Sequence, residues 1–377
     1  MGNSRSNPLG IPPAKGPNVV GCTDFMGDHT AQGSFIRLYY PCQQTDKARK
    51  PDWVPCREYF NGLADFMKIN RTLSEKIFNY FFGSFKIPAC LDAPFKPNGR
   101  CPVVIFSHGL GAFRTLYSTI CTELASQGFI VASVEHRDES ASATYYFCKK
   151  TENVPMPPDN LVKEWMYYRP LQQEDSEFTL RNRQVRSFSV VCLNCYTRLF
   201  VLWITPLNSM DLGRIAAMGH SFGGATVIEA LSKEARFKCG IALDAWMFPL
   251  DDKIFPQVKQ PVFFINSERF QWVANINQMG KLDSAVTQRK MITIRGTVHQ
   301  SFTDFTFLTG KWFGKLMKLK GEIDPELAID LSNKATLAFL QRHLGLEKKF
   351  NQWDPLIDGQ DEDLIEGTNV TVLQSAI

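Results

Sequence analysis

Ile215-Ala216-Ala217-Met218-Gly219-His220-Ser221-Phe222-Gly223-Gly224-Ala225-Thr226 reads as a short apolar strand, a sharp turn and the start of a helix that continues through Ile228, Ala230 and Leu231. The turn carries Gly-x-Ser-x-Gly in the strand, turn, helix setting that gives the motif its meaning. Such a turn holds Ser221 in a strained backbone conformation, so the residues two before and two after it must be small. Gly219 and Gly223 meet that need. The turn exposes the hydroxyl, and the N-terminus of the following helix favours negative charge developing there. The functional reading is a nucleophilic Ser221. The competing one, a glycine-rich turn that merely contains a serine, is opposed by the strand and helix on either side.

Outward from this turn, strands and helices alternate. Upstream, Pro102-Val103-Val104-Ile105-Phe106-Ser107 is apolar throughout, as in a strand buried in a parallel sheet. It runs into His108-Gly109-Leu110-Gly111, then a helix over Tyr117 to Gln127, then the strand Phe129 to Val134. Ser34 to Pro41 reads as an earlier strand, and Glu58 to Phe85 has helical periodicity with an aromatic patch at Ile77 to Phe82. Downstream, Gly240 to Leu243, Pro261 to Asn266 and Met291 to Ile294 read as strands, the last of them closing the set. Asp324-Pro325 opens a final helix that runs to Leu344 before Gly345, and the polar tail from Gln352 reads as frayed. This pattern predicts an α/β-hydrolase fold, a mainly parallel sheet flanked by helices with active residues at the strands' carboxyl ends.

Ser221, Asp244 and His299 each follow a predicted strand, in the chain order Ser, Asp, His of that fold. A neutral hydroxyl is a poor nucleophile, so His299 would take its proton and return one to the leaving alcohol. Asp244 would fix the imidazole tautomer and stabilise the imidazolium. Asp251, Asp252 and Asp283 are rival acids, but none follows a strand. Of the six histidines, His29 and His343 lie outside the expected loop, and His108, His136 and His220 belong to other turns. Oxyanion donors are expected at the Phe222 amide, next to the nucleophile, and at the Leu110 amide in the loop after the earlier strand.

The 377 residues are 44% hydrophobic and 21% charged, an ordinary globular composition for one large catalytic unit. The expected organisation is a flexible segment over residues 1–20, a catalytic domain over 21–350 and a polar tail over 351–377. A net charge of +4 does not point to nucleic acid. The ten cysteines form no disulfide framework, and the N-terminus has no apolar signal segment, so reduced thiols and the cytoplasm are expected. Cys192-Leu193-Asn194-Cys195 has no second pair and no nearby histidine, and reads as chance. No metal cluster, phosphate loop or dinucleotide fingerprint is found, so no cofactor is expected.

Membrane signals come from three places. Met1-Gly2-Asn3-Ser4-Arg5-Ser6 fits N-myristoylation at Gly2. One such chain binds marginally, so a second contact is needed. Lys311 to Lys320 is basic and amphipathic, a membrane-surface candidate. Ser187 to Ser209 is nearly all apolar and long enough for a membrane span, but Arg198 at its middle and Pro206 count against one. Residues 139–185 are polar with embedded aromatics, an insertion expected to cover the active site.

Together Phe106 to Thr115, Val134 to Asp138, Gly219 to Thr226, Leu243 to Met247 and Val298 to Ser301 resemble the platelet-activating-factor acetylhydrolase family. The Met1-Gly2 start is most similar to its intracellular, myristoylated type II branch. The likeness spans residues 15–355 apart from 186–209, where the family has a longer amphipathic helix and this chain a shorter, cysteine-rich apolar run. The resemblance implies a calcium-independent serine esterase of the 1-alkyl-2-acetylglycerophosphocholine type. It would cleave short or oxidised sn-2 acyl chains of phospholipids, with Ser221, Asp244 and His299 as its triad and the Leu110 and Phe222 amides as oxyanion donors. It further implies docking on a membrane surface through Leu73 and through Trp312, Phe313 and Leu316. Acyl transfer to another lipid and a catalytically impaired lipid-binding relative are the alternatives. The intact triad residues oppose the second of these. A monomer is favoured.

Overall fold

The structure is a computed structural model that describes residues 9–27, 31, 33–44, 48–96, 99–149, 161–170, 209–283 and 288–370. Gly2, the Cys192–Cys195 pair, the proposed span from 187 to 208 and most of the atypical 186–209 segment lie outside these residues.

Among the described residues, ten strands form one sheet. Its centre holds β4 (Cys101–Ser107), β5 (Ile130–Glu135), β8 (Met210–His220), β9 (Phe237–Leu243), β10 (Val262–Ser267) and β11 (Arg289–Ile294), all parallel to their neighbours within this group. Across the sheet the order is β12-β11-β10-β9-β8-β4-β5-β2-β1-β3, with β1 (Val20–Gly27), β2 (Ser34–Pro41), β3 (Cys90–Leu91) and β12 (Leu364–Glu366) at its margins. The pairings β1/β2, β2/β5 and β11/β12 are antiparallel.

Alternation along each central strand supplies two cores, one per face. Val104, Phe106, Ala216, Met218, Ile241, Leu243, Phe263 and Ile265 face one way. Val103, Ile105, Ile215, Ala217, Ala242, Val262 and Phe264 face the other. The first core is covered by α1 (Glu58–Met67), α3 (Ser118–Ser126) and α8 (Pro325–Leu344), the second by α4 (Phe222–Lys233) and α5 (Val273–Gly280). Strands buried on both faces are why these segments read as continuous apolar runs.

Register sets the site. Ser107 pairs with Gly219, Gly219 with Ala242 and Leu243 with Ile265, so the carboxyl ends of β4, β8, β9 and β10 lie abreast. The residues that follow each strand therefore meet along one edge.

Several expectations need correcting. The periodicity over 58–85 is interrupted where Lys68 takes a left-handed conformation (φ 58°) and Asn70 caps a second helix, α2 (Arg71–Phe82). The strand over Met291 to Ile294 does not close the sheet, because β12 adds to its edge. The stretch from Gln352 is not frayed up to Val370. It holds α9 (Asp354–Ile357) and β12, with Ile357 and Leu364 buried. These elements are three or four residues long, too short to show a period, and tertiary pairing holds them. Of the 139–185 insertion, the described residues include a paired β6 (Ala143–Lys149) and β7 (Leu161–Tyr167). These residues do not line the cavity at Ser221, described below, but brace α1. Gly62 of α1 lies so close to Ser142 that a Cβ there would sit 1.7 Å from its carbonyl oxygen. The basic run at 311–320 is helical only as α7 (Lys311–Leu316), with a turn at Lys318. Before it comes α6 (Phe305–Leu308). No helix among the described residues is long and apolar enough to cross a membrane.

Candidate active site

Ser221 sits between β8 and α4 with φ 59° and ψ −119°, a region that costs a non-glycine residue about 1–3 kcal/mol. Its own N–H donates to the Leu243 carbonyl at 2.9 Å, and its carbonyl accepts from Trp246 at 3.0 Å, so the turn is held against β9. A Cβ on Gly219 would lie 2.4 Å from the Gly223 carbonyl oxygen, and one on Gly223 2.2 Å from that of Ser107. Both glycines are required by backbone approach.

Asp244 follows β9 and is buried, 1% exposed. It receives the Ser267 N–H at 2.6 Å and the Ser267 hydroxyl, and its Oδ2 lies 3.0 Å from His299 Nδ1. A carboxylate only accepts, so Nδ1 of His299 carries the proton and Nε2 is left free to act as a base. The rival acids stand elsewhere. Asp252 pairs with Lys281 at 2.6 Å, Asp251 accepts the Lys253 N–H, and Asp283 lies near Arg289. His299 stacks on Phe270 with ring centroids 3.7 Å apart.

The loop after β4 is packed onto the elbow, the sharp turn at Ser221. A Cβ on Gly109 would meet Ser221 Cβ at 3.2 Å. Gly111 N–H is bonded to the Ser140 carbonyl at 2.7 Å and Ala112 N–H to that of Gly109 at 3.2 Å. Just before them, the Leu110 N–H has no hydrogen-bond partner among the described residues. The Phe222 N–H is the first of the unpaired donors that begin α4.

Ser221, His299, Gly109 and Leu110 line a cavity of about 610 Å³. Its walls are apolar: Leu63, Phe66, Met67, Phe78, Phe81 and Phe82 from α1 and α2, together with Trp246, Phe270 and Trp272. Phe313 of α7 stacks on Phe81 at 5.8 Å and also lines the cavity. The same two helices expose Leu73 (62%), Trp312 (78%) and Leu316 (63%) to solvent. Of the four membrane-contact candidates, Phe313 is thus the one built into the cavity wall.

His220, Asp244 and His299 offer donor atoms within 4.8 Å of one another. Hydrogen bonds engage the Asp244 carboxylate, both His220 nitrogens and His299 Nδ1. The residues that sequence reasoning missed are Ser267, Phe270, Tyr117 and His220. Ser267 ends the strand beside the one that delivers Asp244, but which strands lie side by side is not written in either segment.

The chain matches the family described as platelet-activating factor acetylhydrolase, isoform II, over residues 3–202 and 203–364. The two matched parts meet inside the 186–209 stretch. It is 52% identical to the platelet-activating factor acetylhydrolase of Gallus gallus, over 96% of this chain and 90% of that one. It is 50% identical to that of Canis lupus familiaris, over 96% and 83%. Among solved structures, a ferulic acid esterase from Streptomyces cinnamoneus superposes with a TM-score of 0.67 at 17% identity, over 95% of this chain and 99% of that one, a likeness of fold alone.

Proposed function

Since the chain belongs to the platelet-activating factor acetylhydrolase, isoform II, family, we propose that it is a phospholipid esterase working through Ser221, His299 and Asp244. The coarser statement, a serine esterase of this family's type acting on phospholipids, rests on identity over nearly the whole chain. The observation that carries the finer one is the Asp244 to His299 bond of 3.0 Å, beside a serine held at positive φ at the wall of an apolar cavity.

In this reading Ser221 Oγ attacks the sn-2 carbonyl carbon as its proton passes to His299 Nε2. The tetrahedral oxyanion meets the Leu110 and Phe222 amides. The ester C–O bond breaks, the lyso-phospholipid alkoxide takes the proton back from His299, and water activated by the same base releases the acid from Ser221. Buried Asp244 holds the imidazole in the tautomer this needs. Short or oxidised sn-2 chains, acetyl included, are the substrates that the family resemblance supports. The apolar rim at Leu73, Trp312 and Leu316 suits contact with a membrane surface beside the cavity, and acylation at Gly2 would add a second hold.

The test is fluorophosphonate labelling with peptide mapping. Label on Ser221, blocked by a short-chain phospholipid and absent from Ser221→Ala, is the expected result. A folded sample that takes no label would favour the lipid-binding alternative. Label on Ser221 with lysophospholipid acylated in preference to release of free acid would favour transfer.

A further inference from the structure

One hydrogen-bonded chain crosses all three loops of the site. The Gly109 N–H donates to Tyr117 Oη at 3.0 Å. That hydroxyl lies 2.9 Å from His220 Nδ1. His220 Nε2 lies 3.1 Å from the backbone carbonyl oxygen of His299.

Chemistry fixes the direction of each bond. A carbonyl only accepts, so the proton of His220 is on Nε2. The ring is 2% exposed, and burial, with His299 beside it, holds its pKa well below the usual histidine range. It is therefore neutral, and Nδ1 accepts. The Tyr117 hydroxyl already accepts from Gly109 and gives its single proton to His220. Each partner adjoins a reacting group: Gly109 precedes Leu110, His220 precedes Ser221, and the last acceptor is the backbone of His299 itself.

We propose that Tyr117 and His220 are positioning residues, which together fix the oxyanion donor at Leu110 and the base at His299 relative to the nucleophile. The role rests on the catalytic reading above. Neutrality belongs to it. The His220 ring centroid is 4.3 Å from that of His299, where a second positive charge would oppose the imidazolium formed on attack. Sequence separation, 103 residues for the Tyr117 to His220 bond, kept the chain out of any motif.

Tyr117→Phe is the direct test, because the ring's packing on Phe106 (centroids 4.9 Å apart) is retained and only the hydroxyl is lost. The assays are kcat and KM on a soluble short-chain ester, the Ki of an alkyl trifluoromethyl ketone that forms an oxyanion on serine, the Kd of an unreactive ether-linked phospholipid, and Tm. The expected result is kcat lower by about tenfold and the ketone weakened by about the same factor, with KM and ether-lipid affinity within about twofold and Tm little changed. His220→Gln, which keeps an N–H able to reach the His299 carbonyl, should retain more activity than His220→Ala. Wild-type kcat and ketone affinity in Tyr117→Phe would overturn the proposal. So would a parallel fall of Tm, ether-lipid binding and kcat, which is the mark of a support that is merely structural. If the wild-type chain takes no fluorophosphonate at Ser221, the catalytic reading itself fails and this one with it; a labelled wild type beside an unaffected Tyr117→Phe rejects this one alone.

Discussion

At the scale of single residues the site is governed by close approach. Gly223 is the sharpest case, since its Cα faces the Ser107 carbonyl with no room for a methyl group. Gly223→Ala should therefore either push the elbow off β4 or lose about 3 kcal/mol or more of stability. The checks are a thermal melt and the fluorophosphonate labelling rate, and a variant with wild-type values for both would show that the elbow has slack. Ser221, Gly219, Gly223, Asp244 and His299 were legible because each lies at a fixed offset from a strand end. Ser267, Phe270 and Tyr117 were not, because what defines them is a partner reached through the fold. The hydroxyl and amide of Ser267 meet Asp244 across 23 residues, and no local pattern marks that.

At the scale of elements, termini and exposed faces decide. The helix α3 begins at Ser118 with no side-chain cap from its N-cap residue Tyr117. Its first amides are met instead by buried Asp304, which accepts from Ser118 N (2.8 Å), Thr119 N (2.9 Å), Thr119 Oγ1 (2.7 Å) and Trp53 Nε1 (2.9 Å). Asp304 thereby ties the turn after His299 to the helix that follows the loop at Gly109. By contrast α8 carries its own signals, with Asp324 accepting from Glu326 N and Leu327 N, Pro325 in its first turn and Gly345 at φ 61° beyond its end. That helix could be read from sequence and the capping of α3 could not. On α7, Trp312 and Leu316 project into solvent while Phe313 turns to the cavity, a division that a run of alternating Lys and apolar residues does not reveal. Trp312→Ala with Leu316→Ala should weaken binding to liposomes by about a hundredfold or more, each side chain forfeiting about 1.5–3 kcal/mol of apolar burial in lipid. Hydrolysis of a soluble short-chain ester should be unchanged. Equal losses in both assays would place these side chains in catalysis or packing.

For the whole molecule, buried charge and buried histidine set how the fold responds to its surroundings. Arg114, 2% exposed at its side chain, pairs with Glu135 at 2.7 Å and Asp24 at 2.8 Å and lies 4.1 Å from the Phe35 ring centroid. Tyr59 of α1 donates to the same Glu135. This network joins β1, β2 and β5 to the helix whose Leu63, Phe66 and Met67 wall the cavity. Burial works against ionisation of Asp24, yet Arg114 and Arg37 hold its carboxyl well below the usual range. Burial also lowers His108 and His343 to about 4 and holds His136 and His220 well below 6.5, so all four are neutral in the folded chain at neutral pH. The unfolded chain would protonate them below about pH 6.5, so each loses stability as pH falls. Asp138 and Asp304, raised by burial to about 6, act in the opposite sense between about pH 6 and 4. Four histidines against two carboxyls leave about two protons, a loss on the order of 2.7 kcal/mol per pH unit between about pH 6 and 5. Urea midpoints at pH 7, 6 and 5 measure it. A midpoint that holds steady or rises towards pH 5 would mean that the histidines are charged in the folded chain.

The sequence by itself determined the parallel sheet, the elbow and the order of the three candidate residues Ser221, Asp244 and His299, because each is written in local periodicity and in glycines that only one backbone path demands. It also carried the family, through motifs that span most of the chain. Only the tertiary structure decided the margins of the sheet, the short elements after α8, the distal cap on α3, the wall and rim of the cavity, and the chain of bonds through Tyr117 and His220. Each depends on groups far apart in sequence and brought together by strand register, and register is a property of paired strands that no single strand contains.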